Sequence, residues 1–299
     1  MRWAIIGTGA LGGLYGARLQ EAGEEVHFLL RSDYAHVRAH GLQVDSIWGD
    51  MHLRSGNWYD GTRAMPTVDV ACVCWKTTAN AQLAETLRPL LRPDTLILLL
   101  QNGIGAEEEV AAAFPGQPVA GGLAFLCSNR IAPGHIHHLD QGRIMLGAHA
   151  CPAERLQAVC ERFSAAGVPV SQAESLSAAR WRKLVWNIPY NGLCAILQQD
   201  TSRIMACAAT RDLVAALMQE VHSAAAATGN ILPADLPEQM LRTTDAMPPY
   251  RPSMQLDREN GRPLEVVYLY DRPLALAHAA SCAMPRTATL AAQLHALEQ

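Results

Sequence analysis

Residues 5–16 read I-I-G-T-G-A-L-G-G-L-Y-G, and this stretch decides the fold of the first half of the chain. Its apolar start is typical of a buried strand, and the G-x-G-x-x-G pattern that follows predicts a tight turn into a helix. Gly7 permits the turn, Gly9 leaves room for a pyrophosphate, and Gly12 lets the helix pack close to the strand. Amides at the start of the helix attract phosphate. The stretch therefore predicts a dinucleotide site, and the alternative is a glycine turn that serves the fold alone.

Six consecutive residues of this turn are expected to contact the cofactor: Gly7, Thr8, Gly9, Ala10, Leu11 and Gly12. The choice of dinucleotide depends on Arg31, which follows a strand predicted at 25–30. NAD-binding sites place Asp or Glu near this point to accept hydrogen bonds from the ribose hydroxyls. The planar guanidinium of Arg31 instead matches a 2′-phosphate, so the sequence predicts NADPH rather than NADH. The alternative for Arg31 is a hydrated surface side chain.

Composition and charge limit the classes of protein to which the chain can belong. The 299 residues suffice for two domains, and 49% apolar with 17% charged residues is ordinary for a folded enzyme. The net charge of -4, without a basic stripe, argues against a nucleic-acid partner. The longest apolar run, 96–100, is far too short to span a bilayer. Eight cysteines without a C-x-x-C pair, and a first strand that starts directly after Met1 and Arg2, predict a cytoplasmic protein with reduced thiols.

Apolar runs alternate with helical patterns through the first half of the chain. This alternation predicts a doubly wound parallel sheet of the Rossmann type. In the second half, strand signals disappear and helical periodicity predominates. We therefore predict an α/β protein with an NADP(H)-binding domain at 1–172 and an all-helical domain at 173–299.

Four residues follow the carboxyl ends of predicted strands, the edge at which such sheets bind ligands. They are Gly7, Arg31, Lys76 and Asn102, and we expect them to converge on one crevice. Further strand candidates lie at 119–127, 135–138 and 143–147, and helices at 181–197, 203–228, 233–243, 263–280 and 286–297. Three histidines have no carboxylate or cysteine at metal-ligand spacing, so a strand or loop surface and no metal are expected there: His135, His137 and His138.

Three polar residues share one face of the helix predicted at 181–197. Lys183, Asn187 and Asn191 are spaced by four, so they drift around the helix by only about 40° per step. Two asparagines and a lysine are poor choices for propensity on an otherwise apolar helix. The pattern suggests a polar cavity and leaves a hydrated surface stripe as the alternative. Pro189 in the same helix predicts a kink, since proline removes one backbone hydrogen bond.

A second polar cluster runs from Ser253 to Glu265. Ser253 is suited to cap a short helix, and Pro263 to open the next helix with Glu265 in its first turn. A carboxylate in that position is common for purely structural reasons. The local pattern therefore leaves both a structural and a functional role open for Ser253 and Glu265.

Taken in order, five motifs resemble those of the ketopantoate reductase (2-dehydropantoate 2-reductase) family. They are G-x-G-A-L-G-G-x-Y-G at 7–16, Lys76 after a strand, Q-N-G-I-G at 101–105, K-L-V-x-N-x-x-x-N at 183–191 and S-M-x-x-D-x-x-x-G-R-x-x-E at 253–265. Their order and separation match over nearly the whole chain. The resemblance implies NADPH-dependent reduction of 2-dehydropantoate to (R)-pantoate, a step of pantothenate biosynthesis.

The resemblance also implies that the helical domain at 173–299 is the substrate and catalytic domain, and it implies roles for individual residues. Lys183 is the catalytic lysine, which hydrogen-bonds the C2 carbonyl oxygen of the substrate and delivers a proton as the hydride arrives. Glu265 orients the cofactor and the lysine. The other assigned residues bind ligands: Asn187, Asn191 and Ser253 the substrate, Asn102 both substrate and cofactor, and Lys76 the cofactor beside Arg31.

Several departures from the family pattern concern the substrate more than the reaction. Val266-Val267 and Tyr270-Asp271 stand where the family commonly has Ile-Asp and Asn-Gly, residues 198–201 replace an asparagine-containing stretch, and Pro189 intrudes. Two alternatives therefore stay open: a reductase of another 2-oxoacid, and a non-catalytic NADP(H)-binding regulator. The expected partner of a reductase is a small 2-oxoacid, and the alanine-rich helical domain is compatible with a homodimer.

Overall fold

A computed structural model describes residues 1–298 of the chain. The chain divides into two compact units. The first unit comprises 1–101 and 106–176, and the second comprises 102–105 and 177–298. The short segment at 102–105 thus groups with the second unit although it directly follows a strand of the first, which the sequence does not predict.

The first unit is built on a mixed sheet of ten strands within the described residues. The strands are β1 (Arg2–Ile6), β2 (Glu25–Leu29), β3 (Leu42–Ser46), β4 (Met51–Leu53), β5 (Asn57–Tyr59), β6 (Val70–Val73), β7 (Leu96–Leu99), β8 (Val119–Ala132), β9 (His135–Ala150) and β10 (Val170–Gln172). Their order is β4-β3-β9-β8-β7-β6-β1-β2-β5, with β10 beside β9. Every pair from β8 to β5 is parallel, whereas β8–β9 and β3–β4 are antiparallel. The predicted α/β class with a doubly wound sheet is confirmed, but the sheet is not wholly parallel.

Strands β8 and β9 form one long hairpin, where the sequence predicted three shorter strands. The pairing slips at several points, among them between Phe125 and Leu126 and between Cys127 and Ser128. Each slip is a bulge that interrupts the alternation of side chains between the two faces of the sheet. Because this alternation is the sequence signal of a strand, the bulges divided the pattern into fragments.

The first unit also contains five α-helices within the described residues. They are α1 (Ala10–Glu21), α2 (Tyr34–His40), α3 (Leu83–Leu87), α4 (Ala106–Ala113) and α5 (Ala153–Ala165). Trp3 of β1, Tyr15 of α1 and Phe163 of α5 are fully buried, and the Phe163 ring meets the other two edge-on at centroid distances of 5.3 Å and 6.2 Å. Aromatic packing of this kind is a large apolar contribution to a core. It anchors the strand and the helix on both sides of the glycine turn.

His138 is fully buried in β9, which corrects the expectation of a surface histidine. Its Nδ1 lies 2.9 Å from the Ser46 hydroxyl oxygen, and its Nε2 lies 3.1 Å from the Asp140 carbonyl oxygen. Burial lowers the pKa of His138 below its ordinary value. The neighbouring His135 has a carboxylate partner, Asp45, at 2.7 Å and 90 residues away in the sequence. Within residues 1–298, no group of three or more His, Cys, Asp or Glu side chains is arranged to hold a metal ion.

The second unit is helical. Its elements are α6 (Leu176–Leu197), α7 (Thr201–Ala206), α8 (Ala208–Ala227), α9 (Leu236–Asp245), α10 (Ser253–Glu259), a π-helical turn (Val267–Asp271), α11 (Arg272–Ala279) and α12 (Pro285–Leu297). The helix predicted at 203–228 is divided at Cys207, whose extended backbone separates α7 from α8. The helix predicted at 263–280 begins only after Glu265. In the part of the chain that the structure describes, no helix is long and apolar enough to cross a bilayer.

Candidate active site

The glycine turn joins β1 to α1 and has the backbone geometry that its sequence predicts. Gly7 has a φ of 98°, a left-handed conformation that favours glycine. A side chain at Gly12 would collide with the Gly7 carbonyl oxygen and would lie 2.9 Å from Ile5 Cγ2. The helix α1 can therefore approach β1 this closely only because Gly12 has no side chain. Among the described residues, nothing lies within 4 Å of the place that a side chain at Gly9 would take. The turn is therefore tightly packed on the protein side and open at Gly9.

The start of α1 adds further features of an anion site. Its first hydrogen bond runs from the Gly13 amide to the Gly9 carbonyl at 2.8 Å, so the amides at 10–12 have no acceptor within the helix. The first turn of the helix contains no acidic residue. The Thr8 hydroxyl points inward and donates to the Leu29 carbonyl at 3.0 Å. Thr8 thereby ties the turn to the end of β2.

Gly12→Ala is expected to destabilise the fold by about 2 kcal/mol, because the added methyl meets a backbone carbonyl that cannot yield without opening the turn. Gly9→Ala is the matched variant, since its methyl meets no atom, and it should change the free energy of unfolding by less than about 0.5 kcal/mol. Only Gly9→Ala then tests nucleotide affinity without also destabilising the fold. Thermal unfolding and nucleotide titration measure the two effects. Equal losses of Tm in both variants would contradict the packing assigned to Gly12.

The loop after β2 exposes Arg31 and buries Asp33. Asp33 accepts hydrogen bonds from the Gly134 amide at 3.0 Å and the Ser32 hydroxyl at 2.9 Å, and it forms an ion pair with Arg130. Burial raises the pKa of Asp33, but the contacts with Gly134, Arg130 and Ser32 outweigh burial and hold this pKa below its ordinary value. Arg130 belongs to β8 and lies 97 residues from Asp33 in the sequence. Sequence reasoning missed the pair because no local pattern connects its members.

A network of amide side chains holds the loop that follows β6. Gln101 Nε2 donates to the Trp75 carbonyl at 3.1 Å and to Asn80 Oδ1 at 2.8 Å, and Trp75 Nε1 donates to the same Asn80 oxygen at 3.2 Å. Trp75 also packs on the glycine turn, since a side chain at Gly7 would lie 2.7 Å from Trp75 Cβ. Lys76 is the next residue and is half-buried. The network therefore fixes the backbone that carries Lys76, a role for Gln101 and Asn80 that the sequence did not indicate.

Predicted cofactor residues of the first unit lie at the carboxyl ends of neighbouring strands. The order β6-β1-β2 is parallel throughout. Gly7 directly follows β1, Lys76 comes shortly after β6, and Arg31 comes shortly after β2. The sheet therefore brings these three residues to the same edge, and their contacts with a nucleotide stay a prediction.

Asn102 and Lys183 meet in the second unit although 81 residues separate them. Lys183 Nζ donates a hydrogen bond to Asn102 Oδ1 at 2.8 Å. The loop that carries Asn102 is held by its neighbours. Gly103 has a φ of 88° and packs directly against the Tyr268 carbonyl, to which the Ile104 amide donates at 3.1 Å. Asn102 is thus an acceptor on a fixed backbone, and it orients the ammonium of Lys183.

The polar stripe on α6 faces the interior of the second unit. Asn187 is 6% exposed and Asn191 is 4% exposed, while Lys183 is half-buried. The alternative of a hydrated surface stripe is therefore wrong. Asn191 Oδ1 accepts a hydrogen bond from the Met254 amide at 3.3 Å, which joins α6 to the first turn of α10.

Ser253 and Glu265 differ in their surroundings. Ser253 is exposed, and Pro252 rather than Ser253 is the N-cap of α10, so the structural alternative of a capping role for Ser253 does not hold. The carboxyl side chain of Glu265 is buried, directly before the helical residues that enter the π-helical turn. Such turns occur frequently at functional sites. The burial of Glu265 beside this turn favours a functional role more strongly than its position near the start of a helix does.

Two departures from the family pattern meet in the structure. The Tyr270 hydroxyl donates to the Ile188 carbonyl at 2.9 Å, directly before Pro189 in the sequence. A side chain at Gly192 would lie 2.8 Å from the same hydroxyl. Burial raises the pKa of Tyr270 well above its ordinary value, so the phenol stays neutral and donates. Tyr270 therefore supports the part of α6 between its two buried asparagines.

Comparison with known proteins agrees with this geometry. The family model described as ketopantoate reductase PanE/ApbA matches residues 3–150, and the model of its C terminal matches 175–298. The chain belongs to the ketopantoate reductase family. It is 45% identical to a 2-dehydropantoate 2-reductase of Nostoc sp. over 99% of this chain and 95% of the relative.

Solved structures of ketopantoate reductases share the whole fold. The 2-dehydropantoate 2-reductase of Geobacter metallireducens is 45% identical, with a TM-score of 0.96 over 99% of each chain. That of Methylococcus capsulatus is 36% identical, with a TM-score of 0.92 over 100% of this chain and 97% of the other. The predicted family, its two-part fold and its class as an oxidoreductase are thereby confirmed, and the non-catalytic regulator is set aside.

Proposed function

We propose that this ketopantoate reductase transfers a hydride from NADPH to C2 of 2-dehydropantoate and forms (R)-pantoate, a cytoplasmic step of pantothenate biosynthesis. One observation carries the proposal: Asn102 holds the ammonium of Lys183 at 2.8 Å, on a helix whose asparagines are buried. A positioned ammonium both stabilises charge on a ketone oxygen and donates a proton to it. Membership in the family supplies the reaction class to which this chemistry belongs.

The residues of the first unit fit a dinucleotide with a 2′-phosphate. Open space at Gly9 and the amides at 10–12 suit a pyrophosphate. The exposed guanidinium of Arg31 suits a 2′-phosphate, and Lys76 adds a second cation at the same edge of the sheet. Bound in this way, NADPH supplies the hydride that the reduction consumes.

Lys183 is proposed as the general acid. An ammonium has three N–H donors, and the bond to Asn102 orients one of them. In the substrate complex another N–H is donated to the C2 carbonyl oxygen. As the hydride adds to C2, negative charge develops on this oxygen, and the ammonium stabilises it and then transfers a proton. The product carries the new hydroxyl group, and the neutral amine recovers its proton before the next turnover.

The buried asparagines are proposed to bind the hydroxyl and carboxylate of the substrate together with Ser253. The amide of Asn187 offers both donors and an acceptor. Asn191 bonds the Met254 amide, so it brings the exposed Ser253 at the start of α10 next to α6. Glu265 is proposed to orient the cofactor and Lys183, because a carboxylate complements an ammonium.

A panel of 2-oxoacids tests the proposed substrate. With NADPH, 2-dehydropantoate is expected to have the highest kcat/KM. A branched 2-oxoacid of similar size that lacks the substrate hydroxyl should be slower by about 100-fold or more, because it leaves buried amides unpaired. A higher kcat/KM for another acid would identify a paralogue whose pocket is reshaped around Pro189 and Tyr270.

A further inference from the structure

Asp33 places an acidic side chain at the point where nicotinamide enzymes select their cofactor. It follows Arg31 by two residues in the loop after β2. In NAD-binding sites a carboxylate at the end of this strand accepts hydrogen bonds from the ribose hydroxyls. An ionised carboxylate here would favour NADH and would repel a 2′-phosphate. The chain thus carries both the residue type that selects NADPH and the type that selects NADH.

The structure buries Asp33 within the loop that follows β2. Asp33 is 5% exposed, and both of its oxygens are engaged. Oδ2 accepts from the Gly134 amide at 3.0 Å, while Oδ1 accepts from the Ser32 hydroxyl at 2.9 Å and pairs with Arg130 Nη1. Hydrogen bonds from the Gly134 amide and the Ser32 hydroxyl help to hold the pKa of this buried carboxyl below its ordinary value, and a cation beside it compensates its charge. Arg130 is that cation.

Arg130 itself reaches the surface of the loop. Its side chain is 44% exposed, and Nη1 also lies 3.5 Å from the Ser32 hydroxyl, next to Arg31 in the sequence. The guanidinium therefore lies within the same small region as the exposed Arg31. It compensates the negative charge of Asp33 and adds positive charge where a 2′-phosphate is proposed to bind.

We propose that Arg130 determines cofactor specificity by neutralising and holding Asp33, so that the loop after β2 presents cations and no available carboxylate to the adenosine ribose. The inference rests on the proposed use of NADPH. It places a residue that selects the cofactor on β8, outside both the glycine turn and the loop after β2. Without the charge of Arg130, Asp33 would repel the 2′-phosphate.

Arg130→Gln tests the role of the charge, because glutamine keeps the aliphatic part of the side chain and a polar amide but carries no charge. The dissociation constant of NADPH, measured by nucleotide fluorescence, is expected to rise about tenfold relative to that of NADH. The ratio of kcat/KM values for the two cofactors should fall by a similar factor. Asp33→Asn in the Arg130→Gln background removes the uncompensated carboxylate and should restore most of the preference for NADPH.

Arg92→Gln is the matched control. Arg92 pairs with Asp69, whose other oxygen accepts the Arg2 amide at 2.7 Å, so the arrangement resembles that around Asp33. It lies at the amino ends of β6 and β7, at the opposite edge of the sheet. Its replacement likewise removes the cation beside a hydrogen-bonded carboxylate, and it should leave the ratio of the two dissociation constants unchanged.

Three outcomes would count against the inference in different ways. Equal changes for NADPH and NADH in Arg130→Gln would show that Arg130 only supports the loop. If Asp33→Asn failed to restore the ratio of the two dissociation constants, the charge of Asp33 would not be what determines the choice between NADPH and NADH. A wild-type protein that binds NADH as tightly as NADPH would overturn the cofactor of the proposed function as well, whereas the first two outcomes leave that cofactor in place.

Discussion

Lys183→Ala is expected to lower kcat for the reduction of 2-dehydropantoate by about 1,000-fold and to change the dissociation constant of NADPH by less than about twofold. The loss is large because the ammonium acts on the charge that develops in the transition state. The bond to Asn102 supports this role, since it holds the Nζ in one position. Steady-state kinetics and nucleotide titration separate the two effects.

Arg182→Ala provides the matched control for Lys183→Ala. Arg182 is the adjacent residue on α6, carries the same charge and is exposed, so its loss should leave kcat within about twofold. Small primary amines added to Lys183→Ala should restore part of the activity, because they supply a proton donor of the missing kind. A Lys183→Ala enzyme with near-normal kcat would overturn the proposed general acid. A parallel loss of NADPH affinity would assign the lysine to cofactor binding instead.

Arg31→Ala is expected to raise the KM for NADPH by about 10- to 100-fold and to leave the KM for NADH within about threefold. Hydrogen bonds from a guanidinium to phosphate are charge-assisted. NADPH loses these bonds in the variant, whereas NADH has no 2′-phosphate with which to form them. The exposed Arg38 of α2 offers the control, since Arg38→Ala removes a nearby positive charge without touching the loop.

The salt dependence of NADPH binding checks the same contact. In the wild-type protein the affinity for NADPH should fall as ionic strength rises, and this dependence should weaken in Arg31→Ala. An equal rise of KM for both cofactors would contradict the assignment of Arg31 to the 2′-phosphate. It would then leave Arg31 as a residue that supports the loop as a whole.

Local patterns were sufficient for the elements that carry most of the candidate site. The glycine turn depends on residues within one strand and the next helix, so its conformation at Gly7 and its close packing at Gly12 follow from the sequence. The stripe of Lys183, Asn187 and Asn191 depends only on the period of a helix. The strands β6 and β7 were recognisable because both are continuous apolar runs in a parallel sheet.

Patterns failed where distant residues or local irregularity decided the structure. The bulges of β8 and β9 interrupted the alternation that identifies a strand. The expected surface position of His138 was wrong because the strand that carries it is covered on that side. The local pattern left a capping role open for Ser253, but Pro252 takes the N-cap position and Asn191 bonds the Met254 amide from another helix.

By itself, then, the sequence determined the class of fold, the glycine turn and the face of α6 that bears the lysine, because each depends on spacing along one element or two consecutive elements. Only the tertiary structure decided which acceptor orients Lys183 and which cation neutralises Asp33. These partners lie 81 and 97 residues away in the chain. Their meeting depends on strand order and helix packing, which no local period encodes.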